Sequence, residues 1–460
     1  MARGIRRARR RPAHVLSLRD RSLIRSIDQV NVIGTFAGLE RFLTSDQWLG
    51  RTNRYSQNTI GRIRADLKSG AIRSPRQLAQ YIAASSLLHG ADGWSYLGKS
   101  VAALLRGDPH RSRHLAYYAE LRAALSLLAG QGIGVLNHQH FAISAVNEVT
   151  RLQTPRGTHE VVWSCLEYWA QRTSSGELFS SVVKPYGREL TDWLERLGGS
   201  GAVAPQVREW FRLWGMDLKT FADDRDARNV SSYRPDGIPT SWKLDPVETL
   251  HFVRSIWESF EPASNSIFEA IDREILRIAL ETRYRGQFGV DPSSNGEKFG
   301  AWVDEVVGYQ NFSKGIADQW CSYLTRGANS EDSAIFRFAK DSPTNPDSHF
   351  GVISRAALLL RLAVGSTRKL IDEAGVEFSL MEFWAHEFGK SRGIWDDDTK
   401  GEMIDLWADI PPLLQDIDSF QSKYELNKQT FFRSGAELGT AIVGLASFER
   451  VALWSVMQSN

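Results

Sequence analysis

The sequence predicts a mostly α-helical, multi-helical protein with one small β-hairpin near residues 133–144. Three observations carry that expectation. Apolar residues recur every three or four positions over most of the chain, the period of one helix face. Helix start and stop signals bracket these segments, with Ser-Pro or Asp-Pro before them and Gly after. One short stretch departs from the pattern and places apolar runs on either side of Asn137-His138-Gln139, a hairpin tip.

The elements follow in order. "LRDRSLIRSIDQVNVIGTFAGLERFL" (18–43) has helical spacing throughout. "SPRQLAQYIAASSLLHG" (74–90) opens on Ser-Pro and reads as stopping at its glycine. "DPHRSRHLAYYAELRAALSLLAGQGIG" (108–134) opens on an Asp-Pro cap and ends at Gly130. Its Leu115, Tyr118, Leu121, Leu125 and Leu128 share a stripe, and Ala116, Ala119, Ala123 and Ala124 permit a second helix to approach closely. After the hairpin, a Pro-Arg-Gly turn and a Thr158 cap introduce a helix within 151–173. Residues 207–229, 246–260, 266–286, 348–365 and 439–458 are further helices. Pro/Ser/Asn-rich loops at 289–298 and 339–349 are the best interior boundaries. The expected organisation is a basic flexible arm (1–14), a basic helical region (15–107), a helical segment (108–240), a central helical region (241–338) and a C-terminal helical region (350–460).

Composition narrows the class. With 460 residues, 42% hydrophobic and 24% charged, and with 15 Trp and 22 Phe, the chain has ample material for a large core. The longest apolar stretch, "ISRAALLLRLAVG" (353–365), is interrupted by Arg355 and Arg361. It falls short of the roughly 18–20 apolar residues that a membrane span requires. The basic N-terminus is not followed by an apolar signal core, so the expected location is cytoplasmic. Cys165 and Cys321 build neither a disulfide framework nor a zinc site.

The net charge of +2 conceals an asymmetry. Residues 1–125 carry 22 Lys/Arg against 8 Asp/Glu, a net of +14, which leaves −12 on the remainder. A basic quarter on an acidic body points to an acidic partner, nucleic acid (DNA or RNA) first among them. "RGIRRARRR" supplies Arg3, Arg6, Arg7, Arg9, Arg10 and Arg11 as phosphate contacts. The ordinary alternatives are attraction between the two halves, or a merely solvated tail.

Chemistry-bearing constellations are sparse. His110 and His114 stand one helical turn apart, but no helical neighbour completes a zinc set. His138 and His140 flank the hairpin tip, where polar residues belong anyway. Glu382, His386, Glu387 and Asp396 to Asp398 lack the second helical histidine of a zinc protease. "GQGIG" (130–134) follows a helix rather than a strand and fails as a dinucleotide loop. Arg355 and Arg361, on an apolar helix, read as satisfied interior arginines or as a ligand-facing pair. No cofactor and no metal are expected.

"DDRDARNVSSYRPDG" (223–237) is the remaining candidate. Arg228 and Ser232 share a helix face, Tyr233 lies one step round, and Pro235 ends the helix. A guanidinium there would offer a phosphate two donors at once. "RHLAYYAELRAALSLLA" (113–129), "THEVVWSCLEYWA" (158–170) and "RNVSSYRP" (228–235) in that order resemble the helices of HEPN-family proteins. These are small helical domains, many of them metal-independent ribonucleases of prokaryotic defence and toxin systems. The resemblance covers roughly residues 108–240. It implies Arg228 at the family's arginine position and Glu120 as the polar partner from an earlier helix, with Tyr233 where the family has histidine. A tyrosine with a pKa of about 10 is a poor general base, which favours a non-catalytic HEPN-like segment. Pairing of Arg228 with Glu120 or Asp226 in a plain helix end is the structural alternative. Three functions follow. The first is a prokaryotic antiviral defence component that binds nucleic acid or partner subunits through its basic N-terminal region. The second is a HEPN-type endoribonuclease using Arg228 and Tyr233. The third is a structural interaction subunit with an acidic protein partner.

Overall fold

The computed structural model describes residues 16–213, 225, 229, 244–263, 266–326, 333–341, 349–395, 405–423 and 435–457. The protein is mostly helical, with one small antiparallel sheet. The predicted 18–43 helix is three pieces: α1 (Leu18–Arg25), α2 (Gln29–Ala37) and a single turn at Glu40–Leu43. Asp28 makes the first break, because its carboxylate accepts the Val30 amide and starts a new helix. α3 (Thr59–Lys68) is capped by Asn58, whose side chain accepts from Gly61.

α4 (Pro75–Leu105) and α5 (Pro109–Gly130) form the structural axis. α5 keeps its expected bounds, with the Asp108 carboxylate accepting from the Arg111 amide. α4 does not stop at Gly90; it runs 31 residues, through Gly90, Gly93 and Gly98. These glycines mark close approaches rather than a stop. A Cβ on Gly93 would lie 2.6 Å from Leu360 Cδ2, and one on Gly98 would lie 1.9 Å from the Ala446 carbonyl oxygen.

The hairpin is present and carries a third strand: β1 (Ile133–Leu136), β2 (Gln139–Ala145) and β3 (Glu148–Leu152), in that order. Leu136 pairs with Gln139 across a two-residue turn, where Asn137 takes φ 55°, a left-handed value that Asn tolerates. β2 and β3 meet through a second turn with Asn147 at φ 63° and an irregularity between Ile143 and Ala145.

α6 (Thr158–Trp169) begins after Gly157, so Thr158 is its first residue and not its cap; the Thr158 hydroxyl donates instead to the Asn137 carbonyl. Then come α7 (Thr173–Val182), α8 (Gly199–Leu213), α9 (Pro246–Ser259), α10 (Glu269–Phe288), α11 (Gly296–Gly308), α12 (Lys314–Thr325) and α13 (Ala334–Asp341). α14 (His349–Glu373) crosses the middle of the protein and packs most extensively on α5, then on α13 and α4. α15 (Glu382–Ser391) and α16 (Ile410–Lys423) follow. The predicted 439–458 helix is broken into α17 (Gly439–Leu445) and α18 (Glu449–Met457). The break at Ala446 lies where the chain passes Gly98 of α4.

By length and composition alone, α14 and the span 439–457 would each pass for a membrane-crossing segment. The apolar window of α14 is 94% buried within the protein, and that of 439–457 is 61% buried. Both are built into a single apolar core that reaches from Leu16 to Val456.

Candidate functional site

Of the expected site residues, Arg3, Arg6, Arg7, Arg9, Arg10, Arg11, Arg228 and Tyr233 lie outside the described residues. Glu120 is described. It is fully buried on α5, and its Oε1 accepts from Arg355 Nε of α14 at 3.0 Å. Both Arg355 and Arg361 are therefore interior, satisfied arginines. Arg361 donates twice to Asp272 of α10, at 2.8 and 2.6 Å, and once to the Val182 carbonyl at 2.6 Å. Between residues 214 and 243 only Arg225 and Asn229 are described. Arg225 Nη1 lies 3.6 Å from the Glu160 carboxylate in the first turn of α6. The described part of 207–229, up to Leu213, packs on α7, where Trp210 meets Phe179.

The Tyr-rich stretch of α5 faces α6. The Tyr117 hydroxyl lies 2.9 Å from His159 Nδ1, and Tyr118 sits between the rings of Tyr96 and His114. Farther along, His349 is buried at the start of α14. Burial, and then the charge of Arg113, push its pKa down to about 4. It is therefore a neutral ring at pH 7 and contributes no positive charge.

A cleft of about 380 Å³ lies among the end of α7, the 184–189 loop, the start of α10 and α14. Its cations are Lys184, Arg361, Arg368 and Lys369. Carboxylates answer them closely: Asp272 holds Arg361, Glu373 lies 2.9 Å from Lys369, and Glu189 lies 3.7 Å from Lys184. An anion entering would displace existing pairs, so the cleft is poorly suited to phosphate. Beside it, Glu269 accepts the Tyr186 amide at 2.7 Å. Burial, reinforced by the charge of Asp272, pushes the Glu269 pKa up to about 7 despite that hydrogen bond.

The N-terminal helices present a different surface. Arg19, Arg25, Arg41, Arg51, Arg62, Arg64, Lys68, Arg73 and Arg76 are exposed, against Asp28, Glu40 and Asp46. Asp66 holds this region together. It is fully buried and accepts from Arg54 Nη2 at 2.6 Å, from the Tyr55 hydroxyl at 2.6 Å and from the Arg73 amide at 3.2 Å. Burial alone would raise its pKa, but the bonds from Arg54 and Tyr55 outweigh it and hold the carboxyl near 2. With Asp66 committed to Arg54 and Arg73, Arg41, Arg51, Arg62, Arg64 and Arg76 make no ion pair among the described residues.

No family model, no curated protein and no solved structure matches this chain. Sequence reasoning found the basic region by charge counting. It missed the Asp66 clamp and the Asp272–Arg361 pair, because no local pattern announces partners from different elements.

Proposed function

We propose that the protein binds nucleic acid through its basic N-terminal region. The observation that supports this most directly is the set of exposed arginines on residues 19–76 that lack carboxylate partners, in a chain whose remaining body is acidic. Arginines left unpaired at a surface repel one another, and a polyanion relieves that repulsion while releasing its own condensed counterions. The arm from Arg3 to Arg11 continues the same charge in sequence. The resemblance to HEPN proteins adds a setting, prokaryotic antiviral defence, in which such a subunit acts within a larger complex. The balanced charges of the large cleft and the buried state of Glu120 favour binding over catalysis.

The test is the salt dependence of binding to duplex DNA and to single-stranded RNA. Affinity should fall steeply with salt, each neutralised duplex phosphate adding about 0.9 to the log–log slope. Deleting residues 2–11, or substituting Arg62→Glu with Arg64→Glu, should weaken binding and flatten the slope. Binding to neither polymer at low salt would sink the proposal.

A further inference from the structure

The cleft of about 380 Å³ beside α14 holds one hydrogen-bond donor and one carboxylate that its internal charge pairs leave over. We infer that this cleft binds a linear zwitterion, a small molecule whose carboxylate and ammonium stand several bonds apart. It is a second site, and it does not depend on the nucleic-acid reading.

The donor is Arg361 Nη1. Arg361 lines the cleft and is only 3% exposed. Its Nε and Nη2 are committed to Asp272 and to the Val182 carbonyl. Its guanidinium also lies over the ring of Phe268, another residue of the cleft wall, 4.7 Å from the centroid. These contacts fix the plane of the group. Nη1 hydrogen-bonds to no described residue and keeps accessible surface. Gly365, on the same wall, holds the approach open: a Cβ there would lie 2.9 Å from Nη1 and 2.8 Å from Val182 Cβ. A donor held in place before the ligand arrives saves the cost of ordering it on binding.

The carboxylate is Asp372. Asp272, Glu373 and Glu189 answer Arg361, Lys369 and Lys184, whereas Asp372 is exposed in the cleft wall and makes no ion pair among the described residues. It follows Gly365 by two turns of α14, roughly 10 Å along the axis on nearly the same face. Arg368 stands between them and lines the same wall, its Nη1 donating to the Ser455 and Val456 carbonyls at 3.0 and 3.3 Å. Along the helix the order is therefore open donor, cation, carboxylate. A ligand carboxylate at Nη1, beside Arg368, with its ammonium at Asp372, runs antiparallel to that array. It brings no net charge, so none of the existing pairs has to open. A bare anion would instead face Asp272 without compensation.

The experiment titrates the full-length chain with 6-aminohexanoate and with hexanoate, which lacks the ammonium, by ligand-detected NMR. The zwitterion should bind saturably, and hexanoate about fivefold more weakly, the upper end for one exposed ion pair. Asp372→Asn should weaken 6-aminohexanoate by the same factor and leave hexanoate unchanged. Gly365→Ala should abolish binding of both, with a melting curve recorded beside it. Should that variant unfold, the Asp372→Asn comparison still decides. Asp416→Asn, outside the cleft, should change neither affinity. An absence of saturable 6-aminohexanoate binding overturns the site. Equal affinity for the two probes, or equal loss of both in Asp372→Asn, overturns the assignment to a zwitterion. Duplex and RNA binding by the same variants should be unaltered, so either reading can fail without the other.

Discussion

Arg355 and Glu120, 235 residues apart in sequence, meet at 3.0 Å in the interior where α14 crosses α5. Both side chains are almost completely withdrawn from solvent. The pair stitches the C-terminal half of the chain to the helix that carries the Tyr-rich segment. Six residues along α14, Arg361 repeats the device with Asp272 of α10. A long apolar helix thus carries two buried arginines, and each reaches a carboxylate on a different neighbour that offsets its desolvation.

The first prediction concerns that stitch. Glu120→Ala leaves a buried guanidinium without this carboxylate and should cost roughly 3–5 kcal/mol. The double variant Glu120→Leu/Arg355→Met removes both charges and should be more stable than Glu120→Ala. Denaturant unfolding of Glu120→Leu, Arg355→Met and the double gives the coupling directly. A coupling near zero would mean that the two side chains do not depend on each other.

Glu269 yields a pH prediction. Its carboxyl titrates near 7 in the folded protein, above its ordinary value of 4.5, chiefly through burial. The unfolded chain therefore releases this proton earlier than the folded one. The sign follows: this carboxyl's contribution to stability is greatest below about pH 4.5, declines as the pH rises towards 7, and is level above it. Glu269→Gln keeps an acceptor for the Tyr186 amide and removes the titration. It should stabilise the protein by roughly 2 kcal/mol at pH 8 and have little effect at pH 4.5. Melting curves of both proteins across that range check the crossover; parallel curves would contradict the assignment.

Much of the fold was legible because helix periodicity is local. α5 begins and ends where its Asp-Pro cap and Gly130 place it, and the turn at Asn137-His138 falls inside the expected hairpin tip. What the sequence hid was long-range. Asp28 breaks a helix whose apolar spacing continues straight through the break, since spacing does not register a capping carboxylate. Glu120 was singled out as the earlier-helix partner of Arg228, and its described partner, Arg355, comes instead from the far half of the chain. The charge of the basic region was countable. The Asp66 clamp within it was not, because Arg54 and Arg73 reach that carboxylate from the loops on either side of α3.

The glycines of α4 give the last prediction, since Gly90 was read as a stop and the helix runs on through it to Gly93 and Gly98. Residue identity cannot separate the two cases, but the space around each glycine does. A Cβ on Gly98 would meet the Ala446 carbonyl oxygen at 1.9 Å and its carbon at 3.0 Å, both backbone atoms that cannot rotate away. One on Gly90 would meet Ser126 Oγ at 3.2 Å, a contact relieved by a shift of a few tenths of an ångström. Gly300, in α11, has nothing within 4 Å. Replacing a helical glycine by alanine gains up to about 1 kcal/mol when the site is free. Gly300→Ala should therefore stabilise the protein, and Gly90→Ala should change it little. Gly98→Ala must push α4 and the 446–448 segment apart, at a cost of about 1–3 kcal/mol or more beyond that gain. The expected order of melting temperatures is Gly300→Ala, then Gly90→Ala, then Gly98→Ala well below both. A Gly98→Ala protein as stable as Gly300→Ala would show that α4 does not run hard against the 446–448 turn.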